Sequence, residues 1–586
     1  MNASEQRDGE YQMKADEPAE AMLASMKLNG IDRLWFVSGT EIAPLQEAAA
    51  KNTALGQPTP KIMTMTHESV ALGAACGETV VTGRAAATAF HVDVGLLNAG
   101  GAIHNADRGR HPVLIMSGVP PTADPSVPGG RSSQVQWIQQ IPDQGQIVRQ
   151  YVRWDHKLAP YDNAGLTVTR AAQVMLTEPQ GPAYLAVPRE ALMSPIKEAR
   201  FPLLDRLQVP SRAVADPDLL ARVADALVRA DDPLICVSRT GRDPASVPQL
   251  IELAELLGAR VMSDLSNRMA FPSAHPLYAG PIGYTATPPE TDCLLLLDVL
   301  VPWMPPSFTP SPGTAVIRIG LDPVERLAAM YEFPTTMSLA GDAAAAVGEL
   351  VELVRQRTSS GQRERVRVRT EAYGRQAAAR RGRLIETADR VAAAGVIHPL
   401  QLSRLLGELD PDTIICQELA ETQLLDRSQP GTLFGPFGSS IGFMAPMAIG
   451  IKTAAPDRRV VATVGDGSWM FSNPQVCTWA AQYHHAPVLF VVSDNRGYRT
   501  GTHEVAKTYP AGYSVRGRDY TGGQFGPGPS YAAEAAASGC FGERVTDPAE
   551  LAAALSRAVK AVDSGVPAVL DVWLPGHDPE VPNGAQ

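Results

Sequence analysis

The chain has 586 residues, of which 45% are hydrophobic and 19% are charged, so it can bury the cores of about two to four domains. Its net charge of −11 gives no electrostatic support to a nucleic-acid role, and no apolar run approaches the roughly 20 residues that cross a bilayer. The N-terminal stretch is polar and the six cysteines are scattered without a C-x-x-C pair, so we expect a cytoplasmic protein with reduced thiols.

Short apolar runs alternate with Ala-rich helical stretches along most of the chain. The strand candidates are residues 34–37, 85–90, 113–116, 181–188, 233–237, 260–262, 293–297, 315–319, 413–415, 460–464, 488–492 and 568–572. This alternation predicts an α/β protein with three doubly wound parallel-sheet domains at residues 17–191, 212–355 and 396–575. The Arg-rich stretch 355–383 between the last two is interpreted as a solvated linker helix.

One strand candidate ends in an acid that glycines flank on both sides. The apolar run 460–464 is followed by Gly465, Asp466 and Gly467, and glycines there let backbone N–H groups approach an anion closely. A Gly-Asp-Gly by itself is typical of a turn, so this motif alone does not identify a site.

A second polar group follows the next strand candidate, residues 488–492. Asp494 and Asn495 lie just beyond it, and two neighbouring parallel strands would place Asn495 beside Asp466. One carboxylate, one amide oxygen, one backbone carbonyl and phosphate oxygens form the octahedral oxygen site that Mg²⁺ prefers. The combination of both strand ends therefore predicts a metal-diphosphate site.

The 29-residue spacing from Asp466 to Asn495 resembles the signature of thiamine-diphosphate enzymes. The resemblance extends over the whole chain and is closest to the group that contains benzoylformate decarboxylase, acetolactate synthase and benzaldehyde lyase. It implies that residues 17–191 bind the pyrimidine, that 212–355 form the central domain, and that 396–575 bind the diphosphate. Family members usually have Asn where Asp494 stands.

The resemblance also implies roles for single residues around the cofactor. The metal ligands would be Asp466, Asn495 and the backbone carbonyl of Gly497. Ile441 matches the bulky apolar residue that bends the cofactor, and the family has glycines where Ser439 and Ser440 stand. The residues matched to cofactor contacts are Thr422, Ser439, Ile441, Gly465, Gly467, Ser468 and Tyr498.

Glu68 is a lone acid ahead of an almost wholly apolar helix candidate. Such an acid can simply cap a helix N-terminus. The resemblance implies instead that Glu68 is the catalytic glutamate that shares a proton with the aminopyrimidine of the cofactor. In the family this glutamate and the metal site come from different subunits, which implies a homodimer or homotetramer with active sites at the subunit interface.

Substrate-side residues follow from a gapless alignment of residues 90–106 with benzoylformate decarboxylase. It implies that His91 exchanges protons with the bound intermediate, and Thr40 matches a serine that faces the substrate. Glu41 is interpreted as an ordinary helix-start acid. The second active-site histidine of that enzyme has no clear counterpart, since Trp303 occupies the approximate region, so an aromatic substrate is not implied.

The sequence therefore predicts a thiamine-diphosphate- and Mg²⁺-dependent 2-oxo acid decarboxylase or 2-hydroxy ketone lyase or carboligase. The partners expected are a small carbonyl substrate, no nucleic acid and no membrane. An acetolactate-synthase-like enzyme and a 2-hydroxyacyl-CoA lyase remain open. Members of the latter group usually bind a nucleotide such as ADP in the central domain, where residues 238–242 could supply the pocket, and FAD in the central domain also remains open. A further alternative is a regulatory relative that only binds the cofactor; a nucleotide-binding dehydrogenase is disfavoured because no G-x-G-x-x-G follows a strand.

Overall fold

The computed structural model describes residues 6–7, 9–264, 267–282, 288–305, 307–418, 422–526 and 528–576. Along these residues the chain forms three α/β units, each built on one six-stranded parallel sheet. The predicted fold class is confirmed. No helix in the described ranges combines the length and the apolar character needed to cross a membrane.

The first unit places its sheet strands in the order β4-β3-β5-β6-β8-β7, and β1, β2 and β9 form a small antiparallel sheet beside it. Its strands are β1 (Gln6–Arg7), β2 (Glu10–Lys14), β3 (Arg33–Phe36), β4 (Lys61–Thr64), β5 (Ala86–Phe90), β6 (Val113–Val119), β7 (Asp155–Lys157), β8 (Ala183–Pro188) and β9 (Glu198–Phe201). Its helices are α1 (Pro18–Leu28), α2 (Ala43–Ala54), α3 (Glu68–Thr82), α4 (Asp93–Asn98), α5 (Gly100–Arg108), α6 (Val135–Ile138), α7 (Ala164–Leu176) and α8 (Arg189–Leu192), with short 3-10 helices at Thr40–Ile42 and Gln144–Ile147.

The central unit has the strand order β12-β11-β10-β13-β14-β15. Its elements are α9 (Pro217–Arg229), β10 (Pro233–Val237), a 3-10 helix (Arg239–Arg242), α10 (Ser246–Leu257), β11 (Arg260–Ser263), β12 (Tyr278–Pro281), β13 (Cys293–Leu297), β14 (Ala315–Gly320), β15 (Met337–Ala340), α11 (Ala343–Arg357) and α12 (Ser360–Ala393). The Arg-rich stretch is divided between two helices, because Ser359 and Gln362 form a capping box that begins α12.

The third unit has the strand order β17-β16-β18-β19-β21-β20. Its strands are β16 (Ile414–Glu418), β17 (Leu433–Phe434), β18 (Val460–Gly465), β19 (Leu489–Asp494), β20 (Phe541–Val545) and β21 (Ala568–Trp573). Its helices are α13 (Pro399–Gly407), α14 (Met444–Ala454), α15 (Asp466–Phe471), α16 (Pro474–Tyr483), α17 (Arg499–Thr508), α18 (Tyr513–Gly517), α19 (Tyr531–Ala537) and α20 (Leu551–Asp563).

Helix α3 of the first unit crosses α14 of the third unit at backbone contact distance. A Cβ atom on Gly77 would lie 2.0 Å from the carbonyl oxygen of Met447, and one on Gly450 would lie 1.8 Å from that of Ala74. Only glycine fits at these two positions without a shift of the helices. The crossing joins the two units around one shared hydrophobic core.

Candidate active site

The two halves of the predicted metal site lie at the ends of adjacent strands. Strands β18 and β19 pair in parallel, with Gly465 opposite Ser493. The backbone N–H of Gly497 donates to Oδ2 of Asp466 at 3.0 Å, and the N–H of Gly467 donates to Oδ1 at 2.9 Å. Asp466 is thus fixed by both loops.

A buried carboxylate and a buried amide oxygen lie at these two strand ends. Asp466 is 1% exposed, and burial raises its pKa to about 6 although the two N–H groups oppose that shift. Within the described residues, the buried Oδ1 of Asn495 has no hydrogen-bond partner. A carboxylate and an unpaired amide oxygen fit a hard cation such as Mg²⁺. Among the described residues, no group of three His, Cys, Asp or Glu side chains is placed to hold a metal ion by itself.

Asp494, which stands where the family usually has Asn, lies in a buried charged network. It is 2% exposed, and its Oδ1 accepts a hydrogen bond from the N–H of Arg496 at 3.2 Å. The guanidinium of Arg544 lies 3.8 Å from Asp494 and 2.8 Å from Asp571. Arg544 therefore offsets the extra negative charge that Asp494 brings to the site.

The two glycines beside Asp466 have different surroundings: Gly465 borders open space, and Gly467 lies against an aromatic ring. A Cβ on Gly465 would meet nothing within 4 Å, whereas one on Gly467 would lie 2.8 Å from the ring of Tyr498. The Tyr498 ring in turn packs edge-on against Phe525 at 4.7 Å. The open side above Gly465, at the N-terminus of α15, fits a diphosphate.

Glu418 at the end of β16 is a site residue that the sequence analysis missed. Its carboxylate accepts hydrogen bonds from the N–H groups of Gly442 at 2.7 Å and Met444 at 3.3 Å, and it also bonds to the hydroxyl of Ser468. Removal from water raises the pKa of Glu418 to about 7. The strand candidate had ended at residue 415; extended to 418, it would have revealed an acid at a strand end.

The loop before α14 is held by the first unit of the same chain. Asn105 donates from Nδ2 to the carbonyl of Ser440 at 2.8 Å and accepts from its N–H at 3.1 Å. The hydroxyl of Ser439 lies 3.1 Å from Nε2 of His104. Ile441 follows with 39% of its surface exposed, so it remains free to contact a ligand.

Thr422 is half-buried and begins a turn in which its carbonyl accepts from the N–H of Leu425 at 2.9 Å. Its neighbour Glu421 lies outside the described residues.

Glu68 is the first residue of α3, directly after the N-cap His67. It is 8% exposed, and its Oε2 accepts a hydrogen bond from Nδ2 of Asn98 at 3.1 Å. Across the part of the chain that the structure describes, no hydrogen bond joins Glu68 to Asp466 or Asn495.

The interpretation of Glu41 as an ordinary helix-start acid was wrong. Its side chain is fully buried, and Oε2 accepts hydrogen bonds from Nε2 of His91 and from the hydroxyl of Thr40. Thr40 also lies 3.2 Å from Nε2 of His91. Burial alone would raise the pKa of Glu41, but these hydrogen bonds outweigh it and lower the pKa to about 2.

The central unit holds two features that the sequence analysis singled out. Trp303 is 4% exposed and packs edge-on against Phe308 and Phe333, so its ring belongs to a core. In the stretch 238–242, Arg242 bonds to Glu178 and, at 2.6 Å, to Asp342, so its guanidinium is already paired.

Residues 499–526, which we call the insertion, form α17 and α18 and then return to the predicted metal site. The N–H of Tyr498 donates to the carbonyl of Gly523 at 2.7 Å, and the N–H of Phe525 donates to that of Arg496 at 2.9 Å. The insertion therefore braces the loop that carries Gly497.

Sequence comparison agrees with this arrangement. Residues 416–572 match the family "Thiamine pyrophosphate enzyme, C-terminal TPP binding domain", residues 17–147 match its N-terminal TPP binding domain, and residues 220–350 match its central domain. The chain belongs to the thiamine pyrophosphate enzyme family. The family matches fall on the three α/β units. They include Asp466 and Asn495 in the third unit and Glu68 in the first.

Three curated relatives are similar to this chain at 24–26% identity. A benzoylformate decarboxylase of Pseudomonas aeruginosa is 26% identical over 448 residues, which cover 74% of this chain and 78% of the relative. An acetolactate synthase large subunit of Mycobacterium tuberculosis is 26% identical over 590 residues, which cover 96% and 97%. A sulfoacetaldehyde acetyltransferase of Castellaniella defragrans is 24% identical over 511 residues, which cover 82% and 81%.

Solved structures of this family share the fold. A thiamine diphosphate-dependent 4-hydroxybenzoylformate decarboxylase of Rhodococcus jostii superposes with a TM-score of 0.73 at 20% identity, covering 96% of this chain and 99% of that chain. A benzoylformate decarboxylase of Polynucleobacter necessarius gives 0.73 at 18% identity, with coverage of 96% and 99%.

Proposed function

We propose that this thiamine pyrophosphate enzyme breaks or forms a C–C bond next to a carbonyl group, as a 2-oxo acid decarboxylase or a 2-hydroxy ketone lyase or carboligase that needs Mg²⁺. The observation that supports this most is the bond from the N–H of Gly497 to Asp466, together with the buried oxygen of Asn495, which has no hydrogen-bond partner among the residues that the structure describes. This arrangement is suited to a cation that holds a diphosphate.

The cofactor would be held by the third unit. Asp466, Asn495 and the carbonyl of Gly497 would bind Mg²⁺, and Ile441 would support the thiazolium ring. The residues that would line the rest of the cofactor are Thr422, Ser439, Gly465, Gly467, Ser468 and Tyr498. When bound, thiamine diphosphate supplies a carbon nucleophile that also accepts the electron pair released when a bond next to a carbonyl breaks.

Glu68 would hold the proton at the aminopyrimidine end, from a second copy of the chain. Helix α4, whose Asn98 donates to Glu68, exposes 49% of Val94 and 61% of Leu97. Helix α15, which begins at Asp466, exposes 47% of Met470 and 57% of Phe471. Large apolar side chains this exposed beside both half-sites favour a face that another copy covers. A homodimer or homotetramer would therefore complete each site.

On the substrate side, His91 would donate or accept a proton at the reacting carbonyl. Its ring is 23% exposed, so a bound substrate can reach it, and Thr40 lies beside it. The relatives reported above are a benzoylformate decarboxylase, an acetolactate synthase and a sulfoacetaldehyde acetyltransferase, and these names support carbonyl chemistry of this kind.

The test is a product profile from pyruvate, benzoylformate and an acyloin, followed by NMR with and without thiamine diphosphate and Mg²⁺. CO₂ with an aldehyde indicates decarboxylation, acetolactate from pyruvate indicates ligation, and two aldehydes from the acyloin indicate lysis. Cofactor binding without a cofactor-dependent product from any of them would favour a regulatory relative and would overturn the proposal.

A further inference from the structure

We propose that Glu41 is the positioning residue for His91. Its buried carboxylate accepts a hydrogen bond from the Nε2–H of the imidazole, and this leaves Nδ1 to exchange a proton with the substrate. This inference rests on the proposed function, in which His91 exchanges protons with the bound carbonyl compound. It assigns each ring nitrogen a task, and it assigns Glu41 a task outside direct contact with the substrate.

The carboxylate of Glu41 accepts hydrogen bonds from three side chains. Oε2 accepts from Nε2 of His91 and from the hydroxyl of Thr40, and Oε1 accepts from Nε2 of Gln136 at 3.4 Å. Of these three donors, only the imidazole of His91 can carry its proton on either of two nitrogens. A fully buried carboxylate favours a proton on the nitrogen that faces it.

Two glycines allow the side chains to approach this closely. A Cβ on Gly39 would lie 2.3 Å from the ring of His91, so the loop before Thr40 can lie directly against the imidazole. A Cβ on Gly118 would lie 2.3 Å from the carbonyl of His91 and 2.8 Å from Cβ of Glu41. The backbone is thus shaped around the Glu41–His91 pair from two sides.

The hydrogen bonds of Gln136 fix which end of its side-chain amide faces Glu41. Its Oε1 accepts from the N–H of Ser132 at 2.8 Å and of Ser133 at 3.2 Å, so its amide NH₂ must point to Glu41. In a Glu41→Gln variant, the new amide oxygen would face that NH₂ and the new NH₂ would face His91. Nε2 of His91 would then accept a hydrogen bond, and the ring proton would move to Nδ1.

The first experiment is ¹⁵N NMR of the histidine-labelled holoenzyme, with the His91 signals assigned by their loss in His91→Ala. The native enzyme should show the Nε2–H form, Glu41→Gln should show the Nδ1–H form, and the charge-retaining Glu41→Asp should keep Nε2–H. The matched control is Glu47→Gln, an exposed position on α2. An unchanged ring form in a folded Glu41→Gln variant, or an Nδ1–H form in Glu41→Asp, would overturn the proposal.

The second experiment is a double-mutant cycle on kcat and KM with whichever substrate the product profile identifies. Glu41→Gln should lower kcat about 100-fold with little change in KM, and it should cost nothing further in a His91→Ala background. Losses that multiply in the double variant would show that Glu41 acts independently of His91. The NMR test needs no turnover, so it still decides the role of Glu41 if the proposed function fails.

Discussion

The backbone N–H of Gly497 donates to the carboxylate of Asp466 at 3.0 Å, across the ends of two neighbouring strands. This one bond ties the loop after β18 to the loop after β19. Because a site whose parts are held in place loses little freedom on binding, the bond would help to preorganise the proposed metal site.

Replacing Asp466 with Asn should weaken thiamine diphosphate binding about 100-fold at a fixed Mg²⁺ concentration. The substitution keeps the size of the side chain but removes the one negatively charged side chain among the proposed protein ligands of the metal. Calorimetric titration of cofactor into the variant measures this, and Asp457→Asn, at an exposed position in the same unit, is the control that should bind normally. Native-like affinity in Asp466→Asn would exclude it as a metal ligand.

Gly77→Ala should destabilise the chain by about 2 kcal/mol or more, since its Cβ would lie 2.0 Å from the carbonyl oxygen of Met447. Denaturant unfolding measures the change. Gly382→Ala in α12 is the matched control: nothing lies within 4 Å of its Cβ, so alanine should stabilise the helix by about 1 kcal/mol. Equal effects at the two positions would contradict the close crossing of α3 and α14.

Glu418→Gln should alter how stability depends on pH. The pKa of Glu418 in the folded chain is raised to about 7 from the ordinary value of 4.5, so the folded state holds this proton more tightly than the unfolded state. The associated stability is present below pH 4.5 and is lost as the pH rises to about 7. The variant without cofactor should therefore gain stability relative to the native chain between pH 5 and 8, on the order of 2 kcal/mol. Denaturant unfolding at both pH values measures this, and a difference that stays constant would contradict it.

The strands that the sequence predicts are the interior ones. All twelve candidates correspond to strands paired on both sides within the three large sheets, where burial on both faces gives continuous apolar runs. The six strands of these large sheets that it misses are the edge strands β4, β7, β12, β15, β17 and β20, and it also misses the small antiparallel sheet of β1, β2 and β9. Edge strands pair on one side only, and sequences such as Asp155-His156-Lys157 carry no apolar run that would reveal them.

In the candidate site, the sequence reveals residues whose role depends on their chain neighbours, and it does not reveal residues whose partners lie far along the chain. The strand-end motif around Asp466 could be read from the sequence because its physical reason is local. Glu41 could not be recognised, since its role depends on His91, 50 residues away, and on Gln136, 95 residues away. Asn105 was likewise missed because its partner, Ser440, lies in another unit.

The central claim is that this chain activates thiamine diphosphate and that Glu68 holds the proton needed for it. The most direct test is the rate at which the C2 proton of the bound cofactor exchanges with deuterium, because this needs no substrate. We predict exchange in the native holoenzyme at least about 100-fold faster than in free cofactor, and a return towards the free rate in Glu68→Gln with the cofactor still bound. Exchange at the free rate in the native holoenzyme, or undiminished exchange in Glu68→Gln, would contradict the claim.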